Sequence, residues 1–290
     1  MPELPEVETV KNDLRPLLLK KRIVDVEVRL PKIVKVPVAQ FVRRVTGAQI
    51  HDVRRRAKIL LIDLENGATI CIHLKMSGQL ILASRRGLEQ VGGHQIVGGT
   101  EHLPNKYTHV IFRLNGSHVL YFNDLRQFGY LTVMRTVELE KFFSVKKLGP
   151  EPFQASFNFA YFVGCLQRKR KTTIKTALLD QSMVVGLGNI YTDEVLFAAR
   201  VKPTRRVISL HRAEKRAIYD RIKSVLRTAI RLRGTTFRHF RDGHGRSGGM
   251  LAQLMVYGRS GELCRRCKKG KIQKTRLGSR SSCYCPVCQR

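Results

Sequence analysis

Five of the chain's seven cysteines fall within its last 27 residues, and four of them read Cys264-Arg-Arg-Cys267 and Cys285-Pro-Val-Cys288. These are two C-x2-C pairs with 17 residues between them. Each pair can form a tight knuckle that points two thiolates at one metal, and two knuckles complete a closed tetrahedral site. The spacing predicts one structural Zn2+ held by Cys264, Cys267, Cys285 and Cys288, with no open coordination position for chemistry. Such a site folds a segment too short to fold alone. A redox C-x-x-C is the competing reading, but two pairs in a basic tail fit it poorly. Cys283 lies outside the paired spacing. Cys71 and Cys165 lie in apolar surroundings and read as buried small side chains.

The 54 Lys+Arg against 22 Asp+Glu give a formal charge of +32, which predicts a polyanionic partner, most often nucleic acid. Anionic membrane is the competitor. No apolar run approaches a membrane span, and the N-terminus lacks the layout of a secretory signal. The expectation is a soluble intracellular protein. The charge is one-sided: residues 200–241 hold 14 Lys/Arg and two acids, and residues 264–290 hold nine Lys/Arg and no acid. A solvated helix face usually mixes signs, so these blocks favour a phosphate-binding surface. The segment Lys271–Ser282 between the knuckles is expected to be a basic hairpin carrying Lys274, Arg276 and Arg280, suited to gripping DNA.

Val7, Val10, Leu14, Leu17 and Leu18 mark one face of a helix over 3–19. Short β-rich runs follow at Ile23–Val28, Ile59–Leu64, Thr69–Leu74, His109–Leu114, Val119–Phe122 and Tyr130–Met134, with turn signals between them. They predict an antiparallel sandwich or barrel. Residues 84–106, rich in Gly and polar side chains, read as a surface loop. A linker is expected around 148–152, then helices near 156–168, 172–181, 189–198 and 210–233.

Pro2 follows the initiator methionine. Removal of Met1 would leave a secondary α-amine, with a pKa near 8 and therefore partly neutral and nucleophilic at neutral pH. Glu3 is adjacent and able to handle protons. On these two residues alone, the alternative that Pro-Glu simply opens a helix is the safer reading.

Several separated motifs resemble the formamidopyrimidine-DNA glycosylase family along residues 2–290. They are Pro-Glu-Leu-Pro-Glu-Val-Glu-Thr at 2–9, Arg-Arg-Ala-Lys at 55–58, His-Leu-Lys-Met-Ser-Gly at 73–78 and Asp-Leu-Arg-Gln-Phe-Gly at 124–129. Leu-Gly-Pro-Glu-Pro at 148–152, Val-Gly-Leu-Gly-Asn-Ile-Tyr at 185–191 and the cysteine tail complete the set. The resemblance implies that Pro2 attacks C1′ of a damaged nucleotide and that Glu3 moves protons. Glu6 either supports that site or is an ordinary helix-dipole acid. Lys58 matches a lysine that assists base release and β-elimination, with phosphate contact as the plainer alternative. Arg280 matches a hairpin arginine on the phosphates of the extruded nucleotide. Met76, Arg126 and Phe128 match side chains that fill the hole left by a flipped nucleotide; core packing is the alternative for Met76 and Phe128. Asn189 is expected at a helix N-terminus, a natural anion site. Arg170 and Lys175 match basic positions before it, with a solvated basic face as the alternative. Tyr107 stands where the family often has a phosphate-binding histidine. Leu125 and Gln127 depart from the usual proline and basic residue. Residues 242–249 fall where the family has a mobile loop over the flipped base.

The expected fold is α+β: an N-terminal antiparallel β-sandwich with flanking helices (2–135), a linker (136–153) and a helix–two-turn–helix domain (154–241). A base-covering loop and connection (242–258) and a zinc finger (259–290) would follow. The expected activity is a bifunctional DNA glycosylase/AP lyase removing oxidised purines from duplex DNA, as a monomer without small-molecule cofactor, in the bacterial cytoplasm at the nucleoid. An endonuclease VIII-type enzyme for oxidised pyrimidines is the near alternative, disfavoured by Leu4 and the 124–128 motif. A non-catalytic zinc DNA-binding protein is the alternative from another class.

Overall fold

The computed structural model describes residues 2–93, 102–235 and 249–290. Met1, residues 94–101 of the expected 84–106 loop and residues 242–248 of the expected base-covering loop lie outside the described residues. The chain divides into two compact units, one within 1–145 and 233–249, the other within 146–232 and 250–290.

The first unit runs α1 (Leu4–Leu18), β1 (Ile23–Val28), α2 (Val38–Val45), β2 (Ile50–Arg56), β3 (Ile59–Leu64), β4 (Ala68–His73) and β5 (Gly78–Ser84). It continues with β6 (Gly87–Gly93), β7 (Thr108–Leu114), β8 (His118–Asp124), β9 (Tyr130–Arg135) and α3 (Leu139–Val145). Two antiparallel sheets form, ordered β1-β7-β8-β5-β6 and β2-β3-β4-β9. Inward side chains of both, among them Leu82, Phe112, Phe122, Ile62, Ile72 and Val133, share one core with Val7, Val10, Leu14 and Leu18 of α1. This is the expected sandwich.

Residues 87–93 correct the loop reading of 84–106: they form β6, paired with β5 from Ser84↔Gly87 to Gln79↔Gly93. Two of the glycines that suggested a loop, Gly92 and Gly93, instead serve packing. A Cβ at Gly92 would lie 2.9 Å from the methyl groups of Val10, so its absence lets α1 lie against this edge strand.

The second unit contains α4 (Phe159–Arg168), α5 (Ile174–Leu179), α6 (Asn189–Ala198), α7 (Arg212–Arg231), α8 (Met250–Gln253) and a hairpin of β10 (Gln273–Leu277) and β11 (Arg280–Tyr284). Asn158 caps α4 through the Tyr161 amide and Thr173 caps α5 through that of Thr176. Phe157, Phe162, Tyr191, Ile218, Ile222 and Leu226 lie in its core. Among the described residues no helix is long and apolar enough to cross a membrane.

Candidate functional site

Pro2 and Glu3 lie buried at the head of α1. Glu3 is the N-cap, and its amide donates to Glu6 Oε2 at 2.8 Å in a capping box. The other oxygen of Glu6 accepts from the Thr235 amide at 2.7 Å and the Thr235 hydroxyl at 3.0 Å. Arg233 adds an ion pair to Asp13 at 2.6 Å. Glu6 therefore does more than face the helix dipole: it ties the residues beside Pro2 to the segment at 233–235.

Lys58 is buried in the two-residue turn between β2 and β3, where Arg56 stands opposite Ile59. Arg55, next to this turn, donates through Nε to Glu8 Oε2 at 2.7 Å and through Nη1 to the Ala57 carbonyl at 2.8 Å. Burial alone would raise the Glu8 carboxyl, but hydrogen bonds from Lys11 and Arg55 and their charges hold it below its usual range.

Met76 lies in the β4–β5 connection and Arg126 and Phe128 in the β8–β9 connection. One buried carboxylate organises both. Asp124 Oδ1 accepts from the Ser77 hydroxyl and, at 3.2 Å, from the Arg126 amide. Its Oδ2 accepts from the Gly129 amide at 2.6 Å, and the Arg126 amide also reaches Ser77 Oγ at 2.9 Å. A Cβ at Gly129 would lie 2.9 Å from Asp124 Oδ2, so only glycine permits this closure. With its backbone held from inside, the loop turns Arg126 and Phe128 outward. Phe128 is 55% exposed, which removes the core-packing alternative for it, and the Arg126 guanidinium lies 4.9 Å from its ring centroid. Met76 is half-buried. Tyr107 is half-buried on the neighbouring β7 approach, and its carbonyl accepts from the Asp124 amide at 2.9 Å. Sequence reading passed over Ser77 and Asp124. Each stands within its own motif, one polar residue beside the displayed side chains, and their pairing across 47 residues leaves no local mark.

In the second unit α6 begins at Asn189 behind Gly188, which has no side chain with which to cap the helix. Arg170 is exposed. Lys175 is different. Its side chain is 1% exposed and its Nζ donates to Asp193 Oδ1 at 2.7 Å and to the Ser281 carbonyl at 2.8 Å. The solvated-face alternative fails for it, and its ammonium is directed into the protein. Asp193 also accepts from the Ser282 hydroxyl at 2.6 Å and the Cys283 amide at 2.9 Å. Burial pushes the Asp193 carboxyl up, against the pull of Lys175 and these two donors. Glu194 accepts from the amides of Met255, Val256 and Tyr257, each at 2.9 Å. Residues 250–258, in the connection expected after the base-covering loop, are in part helical as α8 and in part bound to this carboxylate.

The sulfur atoms of Cys264, Cys267, Cys285 and Cys288 lie within 4.8 Å of one another. Cys264–Cys288 and Cys267–Cys285 are each separated by 3.8 Å. Four sulfurs at a zinc–thiolate distance of about 2.3 Å would stand about 3.8 Å apart at the corners of a tetrahedron. Amides of Gly270 and Lys269 hold the Cys267 thiol down to about 6, whereas burial and the neighbouring thiols push the Cys288 thiol up to about 12. The cluster is positioned to bind a metal. Cys283 is buried and points its amide to Asp193. Arg280 is exposed at the start of β11, opposite Leu277 in the hairpin expected from the sequence.

The known proteins that share this architecture agree. Residues 1–131 match the formamidopyrimidine-DNA glycosylase N-terminal domain and residues 148–241 its H2TH domain. The chain belongs to the formamidopyrimidine-DNA glycosylase family. Relatives of that name from Heliobacterium modesticaldum and Pelotomaculum thermopropionicum are 42% and 40% identical, covering all of this chain and 100% and 99% of theirs. A point mutant of Lactococcus lactis Fpg in complex with a Fapy-dG-containing DNA superposes with a TM-score of 0.89 at 32% identity, covering the whole of both chains. The same species' Fpg with an abasic-site DNA gives 0.88 at 32% identity over 99% of each chain. The protein is a DNA glycosylase of base excision repair, of a family in which AP lyase activity is typical.

Proposed function

We propose that this glycosylase removes oxidised purines such as 8-oxoguanine and formamidopyrimidines from duplex DNA through Pro2. The observation that carries this reading is the outward display of Arg126 and Phe128 on a loop locked to the Met76 connection by Asp124. A void-filling set has no use in a protein that leaves the duplex stacked. Extruding a nucleotide costs a few kcal/mol, which an aromatic wedge, a flexible methionine and an arginine offered to the orphaned cytosine offset. The Lactococcus Fpg complexes with Fapy-dG and abasic DNA support the same substrate class.

After loss of Met1, the Pro2 nitrogen forms a bond to C1′ as the C1′–base bond breaks, and the base leaves with a proton. Glu3 protonates the ring oxygen as the sugar opens, giving an iminium between Pro2 and C1′. Lys58 assists base release and takes the C2′ proton in β-elimination, which expels the 3′ phosphate. Arg280 holds the remaining phosphate, which is expelled from C5′ as the C4′ proton is lost in δ-elimination. Water then hydrolyses the iminium and frees Pro2. Asn189 and the first-turn amides of α6 take a backbone phosphate, with Arg170 and the Tyr107 hydroxyl as further contacts. Lys175 acts by fixing the hairpin. One structural Zn2+ on the four cysteines folds the finger, and no small-molecule cofactor takes part. The enzyme acts as a monomer on chromosomal DNA at the nucleoid.

Borohydride trapping tests this directly. Protein whose intact mass confirms loss of Met1 is expected to cross-link to an 8-oxoguanine:C duplex and much less to duplexes bearing oxidised pyrimidines. Absence of any adduct would overturn the covalent mechanism; the reverse preference would assign the endonuclease VIII-type activity.

A further inference from the structure

In Arg55-Arg56-Ala57-Lys58 only the lysine takes part in the proposed reaction. We infer that Arg55 is a positioning residue for Lys58, fixing the turn that carries the lysine against the helix that carries Pro2; this rests on the reading of Lys58 given above.

The turn is the premise. Only Ala57 and Lys58 connect β2 to β3, and Ala57 sits at φ 55°, in the left-handed region that favours glycine. In two-residue hairpin turns the first position commonly is glycine when it takes that conformation. A residue with a side chain stays there when its surroundings hold it. Here the holding group is visible. Arg55 Nη1 donates to the Ala57 carbonyl at 2.8 Å, fixing the peptide plane from which the Lys58 backbone departs. The same guanidinium donates through Nε to Glu8 at 2.7 Å. Glu8 is on α1, five residues beyond Glu3, and α1 packs on β2. The Arg55 side chain is 9% exposed and that of Glu8 18%, so the pair is shielded from competing water.

One planar fork thus bonds both the turn with the lysine and the helix with the amine. Its two directed donors fit this task, whereas the compact ammonium of lysine has no matching geometry.

The test is a double-mutant cycle read in single-turnover base excision at saturating 8-oxoguanine:C duplex. Arg55→Met is expected to slow excision about tenfold to a hundredfold, the scale of a misplacement near one ångström, with little change in DNA affinity. Arg55→Lys is expected to restore little of it. Arg55→Met combined with Lys58→Gln is expected to be no slower than Lys58→Gln alone, because Arg55 acts through Lys58. Independent, multiplying losses would overturn the inference, as would a wild-type rate for Arg55→Met. If Arg55→Met does not fold, the same cycle run with Arg55→Lys decides. A wild-type rate for Lys58→Gln would instead overturn the role of Lys58, whatever Arg55 does.

Discussion

Two hairpins in this molecule each carry a cation: one is fastened to a helix by an ion pair, and the other is hydrogen-bonded to an ion pair that joins two helices. The β2–β3 turn carries Lys58 and is held by Arg55 and Glu8, which keep 9% and 18% of their side-chain surface. The β10–β11 hairpin carries Arg280 and is held by Lys175 and Asp193, at 1% and 0%. The first pair is a local brace: it fixes one carbonyl at a strained turn inside a sandwich that stands on its own core. The second is a clamp: it gathers Ser281, Ser282 and Cys283 in a short strand beside the four-cysteine cluster, where the core is small. The depth of the pair follows how much else holds the hairpin.

That contrast can be strained from both ends. The largest effect is expected from metal removal. Structural zinc supplies on the order of 10–16 kcal/mol in isolated fingers at neutral pH, so chelation should unfold the β10–β11 hairpin and abolish duplex binding. The β2–β3 hairpin should stay folded, and amide exchange resolved by segment separates the two. Protection of both hairpins after complete metal loss would contradict the clamp.

Next comes Asp193→Ala, which leaves the Lys175 ammonium buried without its carboxylate. Breaking such a pair costs about 3–5 kcal/mol. Chemical denaturation should show that loss, and Lys175→Met combined with Asp193→Leu should recover much of it. A cost below about 1 kcal/mol would place the pair with ordinary surface bridges.

The smallest effect is expected at Glu8. Its carboxyl titrates below the ordinary 4.5, so its folded-state advantage is present above that pH and is lost as the pH falls through its lowered value. The stability gap between wild type and Glu8→Gln should therefore be steady near neutrality and close in acid. A gap that widens in acid would reverse the sign of the Glu8–Arg55 contribution.

What the sequence made legible follows from whether the signal is local. The cysteine pairs declare their geometry by spacing, and β3, β4 and β7 declare themselves by runs of buried, mostly apolar residues. β2 did not, because Ile50-His-Asp-Val-Arg-Arg-Arg is an edge strand with only two buried side chains. β6 did not, because Gly92 answers to α1, a partner far away in sequence, and Gly93 to the backbone of β5. Lys175 matches a basic family position, and nothing in Thr-Ile-Lys-Thr announces its burial; its partner lies 18 residues on. A signal did exist in Ile190-Tyr-Thr-Asp-Glu-Val-Leu-Phe: every side chain from 190 to 197 is buried, so two adjacent acids had no polar face to occupy. Acids in such a helix need internal donors. Phe128 shows the opposite case, since its β-strand neighbours would permit a core position and only the flanking motifs argued for display.

That display also has a spectroscopic consequence. The chain contains no tryptophan. Position 128 is solvent-facing on a loop whose backbone is fixed from within by Asp124. An indole placed there would be the sole one in the protein, with emission free of background. Entry between base pairs could then be followed in real time, as an optical event separable from the chemistry that comes after it.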